Sequence, residues 1–281
     1  MDAFDSLQRD GYVVLRGAVD TALVNDINER VSRFKQRNPK AASRNLDEHG
    51  RLYRVVNLHL AVDAMTRLLT DNPAIAVCDR FFGEPTTLYT SLYYERGSEQ
   101  ALHRDSPVFA TEPHGRYMGV WVALDDVADD NGPLMVVPGS HDLPALDLQA
   151  IRREVFGDGA IDPMSPAGWG TYQAAVAAQC EAAGLSPQPV HVRAGDVIIW
   201  HPQLFHGGAP HPAVRTRRSV VMHVTPKGMP VGHMDVFYDP SKARTEAPWR
   251  YYRRGDRHIA RFKQVDFGHE YTVRTWFLRK T

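Results

Sequence analysis

Cysteine is scarce: Cys78 and Cys180 are the only two in 281 residues, far apart and in no C-x-x-C or zinc-type spacing. That excludes a disulfide scaffold and a cysteine zinc site, and it fits a reducing compartment. Long hydrophobic runs are missing too. No apolar stretch approaches the roughly 20 residues that a spanning helix needs, and the N-terminal segment carries early acids and no apolar leader core. The expectation is a cytoplasmic chain without membrane attachment. Neither charge is in excess, since Lys plus Arg and Asp plus Glu both total 33. No global positive field therefore gathers nucleic acid, and any anion site has to be local. Repeats, low-complexity tracts and linkers are absent as well, so 1–281 reads as one domain with room for a sizeable core.

What is present changes character along the chain. Asp20 can cap a helix running to about Arg37, with Leu23, Val24, Ile27, Val31 and Phe34 at three- and four-residue steps. A second helical stretch is expected from Val62 to Phe82, stopped by Gly83 and Glu84-Pro85. Tyr12 to Leu15 reads as a first strand. Strands then follow at Thr86 to Glu95, Tyr117 to Asp125, Leu134 to Val137, Val190 to Val192, Val197 to Trp200 and Arg218 to Val224. Turns such as Asp130-Asn131-Gly132-Pro133 and Ala194-Gly195-Asp196 separate them, which predicts a mainly β jelly roll with flanking helices. Residues 143–184 form a helical insertion, with a helix at Ala174 to Ala183, and an insertion of this length suits a lid. Residues 225–281 are a C-terminal extension.

One constellation carries chemistry. Among 13 histidines, about one His-x-Asp arises by chance, so His103-Arg104-Asp105 is weak alone. A metal that must keep three octahedral positions open needs two imidazoles and one carboxylate on one face, and alternation along a strand would put His103 and Asp105 on the same side. A third ligand has to come from a later strand, with a cation on the return strand for a dicarboxylic cosubstrate. The segment Gly195 to Gly208 supplies such a strand and contains His201 and His206, and Arg217 lies eleven residues beyond His206.

The ordered set Gln100-x-x-His103-x-Asp105, Gly119-Val120-Trp121, Asn131-Gly132-Pro133, Pro138-Gly139-Ser140-His141, His206-Gly207-Gly208 and Arg217 resembles the phytanoyl-CoA dioxygenase family of Fe(II)/2-oxoglutarate oxygenases. The likeness runs from about Asp10 to Val224. It implies a double-stranded β-helix, Fe(II) held by His103, Asp105 and His206, and 2-oxoglutarate and O2 as co-reactants. It also implies oxidation of a small molecule with release of succinate and CO2. The carboxylate ligand favours hydroxylation, desaturation or ring closure over halogenation. One departure follows the distal histidine, where Gly208 and His211 stand in place of a frequent Ser and Asn.

Rivals exist at each position. His201 directly follows the strand, and His211 sits in a Pro-flanked turn, so His206 fits the distal place best. Arg215 and Arg218 flank Arg217. Period-two alternation groups Arg217 with Ser219 and Val221, so Arg217 and Ser219 can share one carboxylate. His233-Met234-Asp235 is a second His-x-Asp, but neither later histidine has an Arg eleven residues on. Gln100 and Tyr93 are candidates for lining the site, Trp121 and Trp200 read as core aromatics, and His141 as structural. The run Trp249 to Arg254 suits tail packing, or a homodimer contact. Two other classes stay open: a cupin-type metalloenzyme that does not use 2-oxoglutarate, and a non-catalytic binding module.

Overall fold

In the computed structural model, which describes residues 2–163 and 165–281, the helix Ala3–Asp10 ends at Gly11 in the left-handed region and delivers the strand Tyr12–Leu15. The helix Thr21–Arg37 begins as expected, with the Asp20 carboxylate accepting from the Ala22 N–H, and buries Leu23, Val24, Ile27, Val31 and Phe34. The expected helix 62–82 is instead three pieces: a 3₁₀ turn at Asp63–Thr66 and helices at Arg67–Thr70 and Ile75–Phe82. Pro73 accounts for the break, because it has no N–H for a continuing helix and its ring clashes with the preceding turn.

A ten-stranded sheet runs in the order Tyr12–Leu15, Val197–Trp200, Met118–Ala123, Ser219–Pro226, Thr86–Tyr94, Val55–Val56, Gln264–Asp266, Thr272–Arg274. The hairpin Tyr251–Arg254/Arg257–Ala260 joins it through a parallel pairing with Thr86–Tyr94. A three-stranded sheet pairs Gln188–Val190, Leu134–Val136 and His206–Gly208. Trp121, Ile198 and Val221 of the large sheet share an apolar cluster with Val136 and Val190 of the small one. The other face of the large sheet packs Val120, Val122, Val220, Met222 and Val224 against the helices. This is the expected jelly roll.

Two local expectations need correction. The strand placed at Val190 to Val192 lies at Gln188–Val190, and Val192 makes only an isolated bridge to Val127. His103 and Asp105 are not on a strand either. His103 makes a single bridge to His206, and the chain turns at Asp105, whose carbonyl accepts from the Val108 and Phe109 N–H groups.

The insertion holds two helices, Leu148–Phe156 and Pro166–Ala182, so the longer one begins well before Ala174. The tail is used inside the chain. Tyr252 packs against the helix-side core, Arg254 pairs with Asp63 at 2.8 Å, and Trp249 lies 4.7 Å from the Tyr89 ring. Among the described residues no helix is long and apolar enough to cross a membrane.

Candidate metal centre

The bridge between His103 and His206 builds the centre. Each N–H donates to the other's carbonyl, at 2.9 and 3.0 Å, so residues far apart in sequence are fixed side by side. Gly207 permits this closeness, since a Cβ there would stand 2.6 Å from the Gln100 carbonyl oxygen. The His103 Nδ1–H donates to the Ala101 carbonyl at 2.9 Å and the His206 Nδ1–H to the Leu204 carbonyl at 3.0 Å. Carbonyls only accept, so both Nε2 atoms keep their lone pairs. They lie 3.8 and 3.7 Å from Asp105 Oδ1, and one ligand atom from each of the three residues falls within 4.8 Å of the others.

All three side chains are buried. Burial, then His206, holds the His103 imidazolium down to about 3. Burial alone would raise the Asp105 carboxyl, but His206, His103, His223 and the Trp200 N–H outweigh it and hold Asp105 below the usual carboxylate range. Two imidazoles and one carboxylate converge, the donor set expected of a facial metal site.

Asp105 is oriented by residues that the sequence reads as simple core. Trp200 donates its Nε1–H to Asp105 Oδ2 at 2.8 Å, and Tyr117 donates its hydroxyl at 3.3 Å. Trp200 reaches that oxygen by lying flat on Gly119, where a Cβ would stand 2.2 Å from the indole. The motif glycine is thus part of the support that orients Asp105.

A cavity of about 630 Å³ opens beside the triad, and Gln100 and Arg217 line it. Arg217 is 4% exposed, lies two residues before the start of the strand Ser219–Pro226, and holds its guanidinium carbon 5.5 Å from the Trp121 ring centre. Its Nε has no partner, no carboxylate pairs with it among the described residues, and burial brings its pKa down to about 10. Its neighbours are already engaged: Arg215 by Asp130, and Arg218 by Asp125 at 2.5 Å. Ser219 is fully buried with an unpartnered Oγ but does not line the cavity. A buried guanidinium with no acid beside it, close to a His-Asp-His triad, has the chemistry to pair with a carboxylate.

The rival histidines have other duties. His201 packs edge-on to Phe81 and off the cavity. His211 accepts from the Gly97 N–H at 2.7 Å and donates to the Arg215 carbonyl at 3.0 Å. His233 lines the cavity without joining the triad, its Nε2 accepting from the Tyr89 hydroxyl at 2.7 Å and its Nδ1–H donating to Val108 at 2.9 Å. Tyr93, considered as a lining residue, faces the helices and donates to Glu95. His223 was missed. It continues the face of Arg217, Ser219 and Val221 by two more residues, so the same alternation points to it; it lines the cavity and its Nε2 has no partner.

Comparison with known proteins agrees with this arrangement. The phytanoyl-CoA dioxygenase (PhyH) family model matches residues 7–219. Phytanoyl-CoA dioxygenase domain-containing protein 1 of Mus musculus is 26% identical over 169 residues, which are 58% of this chain and 54% of that protein. The chain thus spans about half the length of that relative. Among solved structures, the non-heme alpha ketoglutarate dependent epimerase SnoN from nogalamycin biosynthesis superposes with a TM-score of 0.60 at 20% identity, covering 92% of this chain and 96% of the epimerase. EctD from S. alaskensis gives 0.62 at 18% identity over 88% and 85%. At such identities the likeness shows a shared fold, whereas the family model covers most of the sequence, including every residue of the buried triad and Arg217. The chain belongs to the phytanoyl-CoA dioxygenase family.

Proposed function

We propose that this protein is an Fe(II)- and 2-oxoglutarate-dependent dioxygenase in which His103, Asp105 and His206 hold the iron and Arg217 anchors the cosubstrate. The observation that carries this reading is the juxtaposition of a buried His-Asp-His triad with a buried arginine that has no carboxylate, both on one cavity. A cupin-type enzyme without the cosubstrate has no use for that unpaired cation. The related folds support the pairing: the epimerase has been solved with Fe3+ and alpha ketoglutarate, and EctD with 2-oxoglutarate and 5-hydroxyectoine.

The donor set fits a divalent iron, and when bound, iron with 2-oxoglutarate and O2 supplies the oxidising power, with succinate and CO2 released. The protein's own work is positional. The Nδ1–H donations of His103 and His206 fix both rings with Nε2 inward, and Trp200 and Tyr117 hold Oδ2 of Asp105 so that Oδ1 faces the imidazoles. Arg217 would fix the far carboxylate of the cosubstrate, with Ser219 beneath it and Gln100 on the wall. The substrate in this reading is a small molecule, oxidised by hydroxylation, desaturation or ring closure. The two buried free thiols, Cys78 and Cys180, favour the cytoplasm as the site of action.

The decisive experiment is an anaerobic titration of the Fe(II)-loaded protein with 2-oxoglutarate. A visible metal-to-ligand charge-transfer band, followed by succinate on exposure to oxygen, is expected; iron uptake without that band would remove the cosubstrate from the reading. The insertion completes the proposal as a lid over one domain: Trp169 of its long helix lines the cavity 5.7 Å from the His103 ring, and the Tyr172 hydroxyl accepts from the Arg104 N–H. Trp169→Ala should keep the band but raise succinate formed per substrate oxidised, because closure keeps the reaction productive. Unchanged coupling would exclude the lid.

A further inference from the structure

One wall of the cavity beyond the triad and Arg217 carries a cluster of rings. A β-bulge starts it. Pairing steps from His223 opposite Thr90 to Val224 opposite Leu88, so Tyr89 is an extra residue in its strand and joins the cavity side. Phe109 stacks on His223, with ring centres 4.4 Å apart, and meets His233 edge-on at 5.5 Å. Tyr89 stacks on His233 at 5.9 Å, with Phe262 at 5.6 Å and Trp249 behind it at 4.7 Å. Four of these residues, His223, His233, Trp249 and Phe262, lie beyond residue 219, where the family match ends, and the last three belong to the C-terminal extension.

The charges on this cavity are one-sided. Asp105 is the only carboxylate on its wall among the described residues, whereas Arg54 and Arg217 both line it. A cationic substrate would find no counter-ion there. Flat ring faces select flat partners, because offset and edge-on ring contacts add attraction beyond buried area, which a flexible chain forgoes while also losing rotamer freedom. His223, 3% exposed, gives its Nδ1–H to the Tyr117 oxygen, so its unpartnered Nε2 offers an acceptor to a hydroxyl on such a ring.

We infer that the substrate is a planar ring compound, neutral or anionic, that docks between Phe109 and Phe262, and that the C-terminal extension sets this specificity. The inference rests on the oxygenase reading only for which end of the cavity is free. It is tested by calorimetric titration of the Fe(II)-loaded protein, anaerobic and saturated with 2-oxoglutarate, with anthracenecarboxylate and with a saturated fatty acid of equal carbon number. The ring acid should bind roughly tenfold tighter or more. Phe109→Leu and Phe262→Leu should each weaken it by about threefold to tenfold and leave the fatty acid unchanged. Equal affinities for the two acids, or ring binding that neither substitution weakens, would overturn the inference. The charge-transfer band is recorded on the same samples: its loss together with a retained ring preference would sink the cosubstrate reading and still support the ring site.

Discussion

The strand Ser219–Pro226 presents two regions of the molecule within one element. Val220, Met222 and Val224 point to the helices and lie in the larger apolar core. Ser219, Val221 and His223, continuing the line of Arg217, point the other way, where Val221, His223 and Arg217 line the cavity. Both faces are buried along their whole length, so burial does not distinguish them. What differs is satisfaction. The helix side holds atoms that need no partner, whereas the cavity side holds the Arg217 Nε, Ser219 Oγ and His223 Nε2 without one. Unpartnered polar atoms in a buried place oppose folding, and the two that belong to cavity-lining residues, on Arg217 and His223, are placed for a ligand that would supply the partners.

The sharpest way to break this comparison is on the ligands themselves. His206→Ala should abolish succinate formation while the protein stays folded, and His201→Ala should remain active; activity kept in the first and lost in the second would move the distal ligand. Next in size is a change on the opposite face. Met222→Ala should destabilise by about 2–5 kcal/mol through lost contacts and a residual cavity, read as a lower urea midpoint. Its 2-oxoglutarate affinity should not move, and a weakened cosubstrate affinity in the folded variant would show that the two faces are not separable. The smallest expected effect is the most specific. Arg217→Lys keeps the charge but loses the two-pronged geometry, so 2-oxoglutarate should bind roughly 30-fold more weakly, or about 2 kcal/mol. Arg218→Lys, already paired with Asp125, should bind as the parent does. The reverse ranking would reassign the anchor.

Much of the fold was readable in advance because its signals are local. Asp20 capping the helix to Arg37, the Gly83 stop and the alternation after Arg217 depend on neighbours in sequence, and the structure keeps each one. Errors fell where a local pattern met a specific breaker or a distant partner. Pro73 divided an otherwise helical periodicity. His103 and Asp105 take their common direction from a bridge to His206 and a turn, so the two side chains converge without lying on a strand.

The sequence by itself determined the identity and order of the candidate site residues, and the jelly roll that carries them, because residue types, spacing and hydrophobic period are properties of the chain. Only the tertiary structure decided how those groups are held and what shares their cavity. Trp200 became the support of Asp105 because Gly119 lets an indole lie on a neighbouring strand. Tyr89 reached the cavity because one bulged residue reverses which face a side chain takes, and Phe262 reached it from a tail more than 150 residues further along the chain. Whether an arginine is paired is likewise a fact about three-dimensional neighbours: Arg215, Arg217 and Arg218 look alike in sequence, and acids engage two of them while the third is buried with no acid paired to it among the described residues.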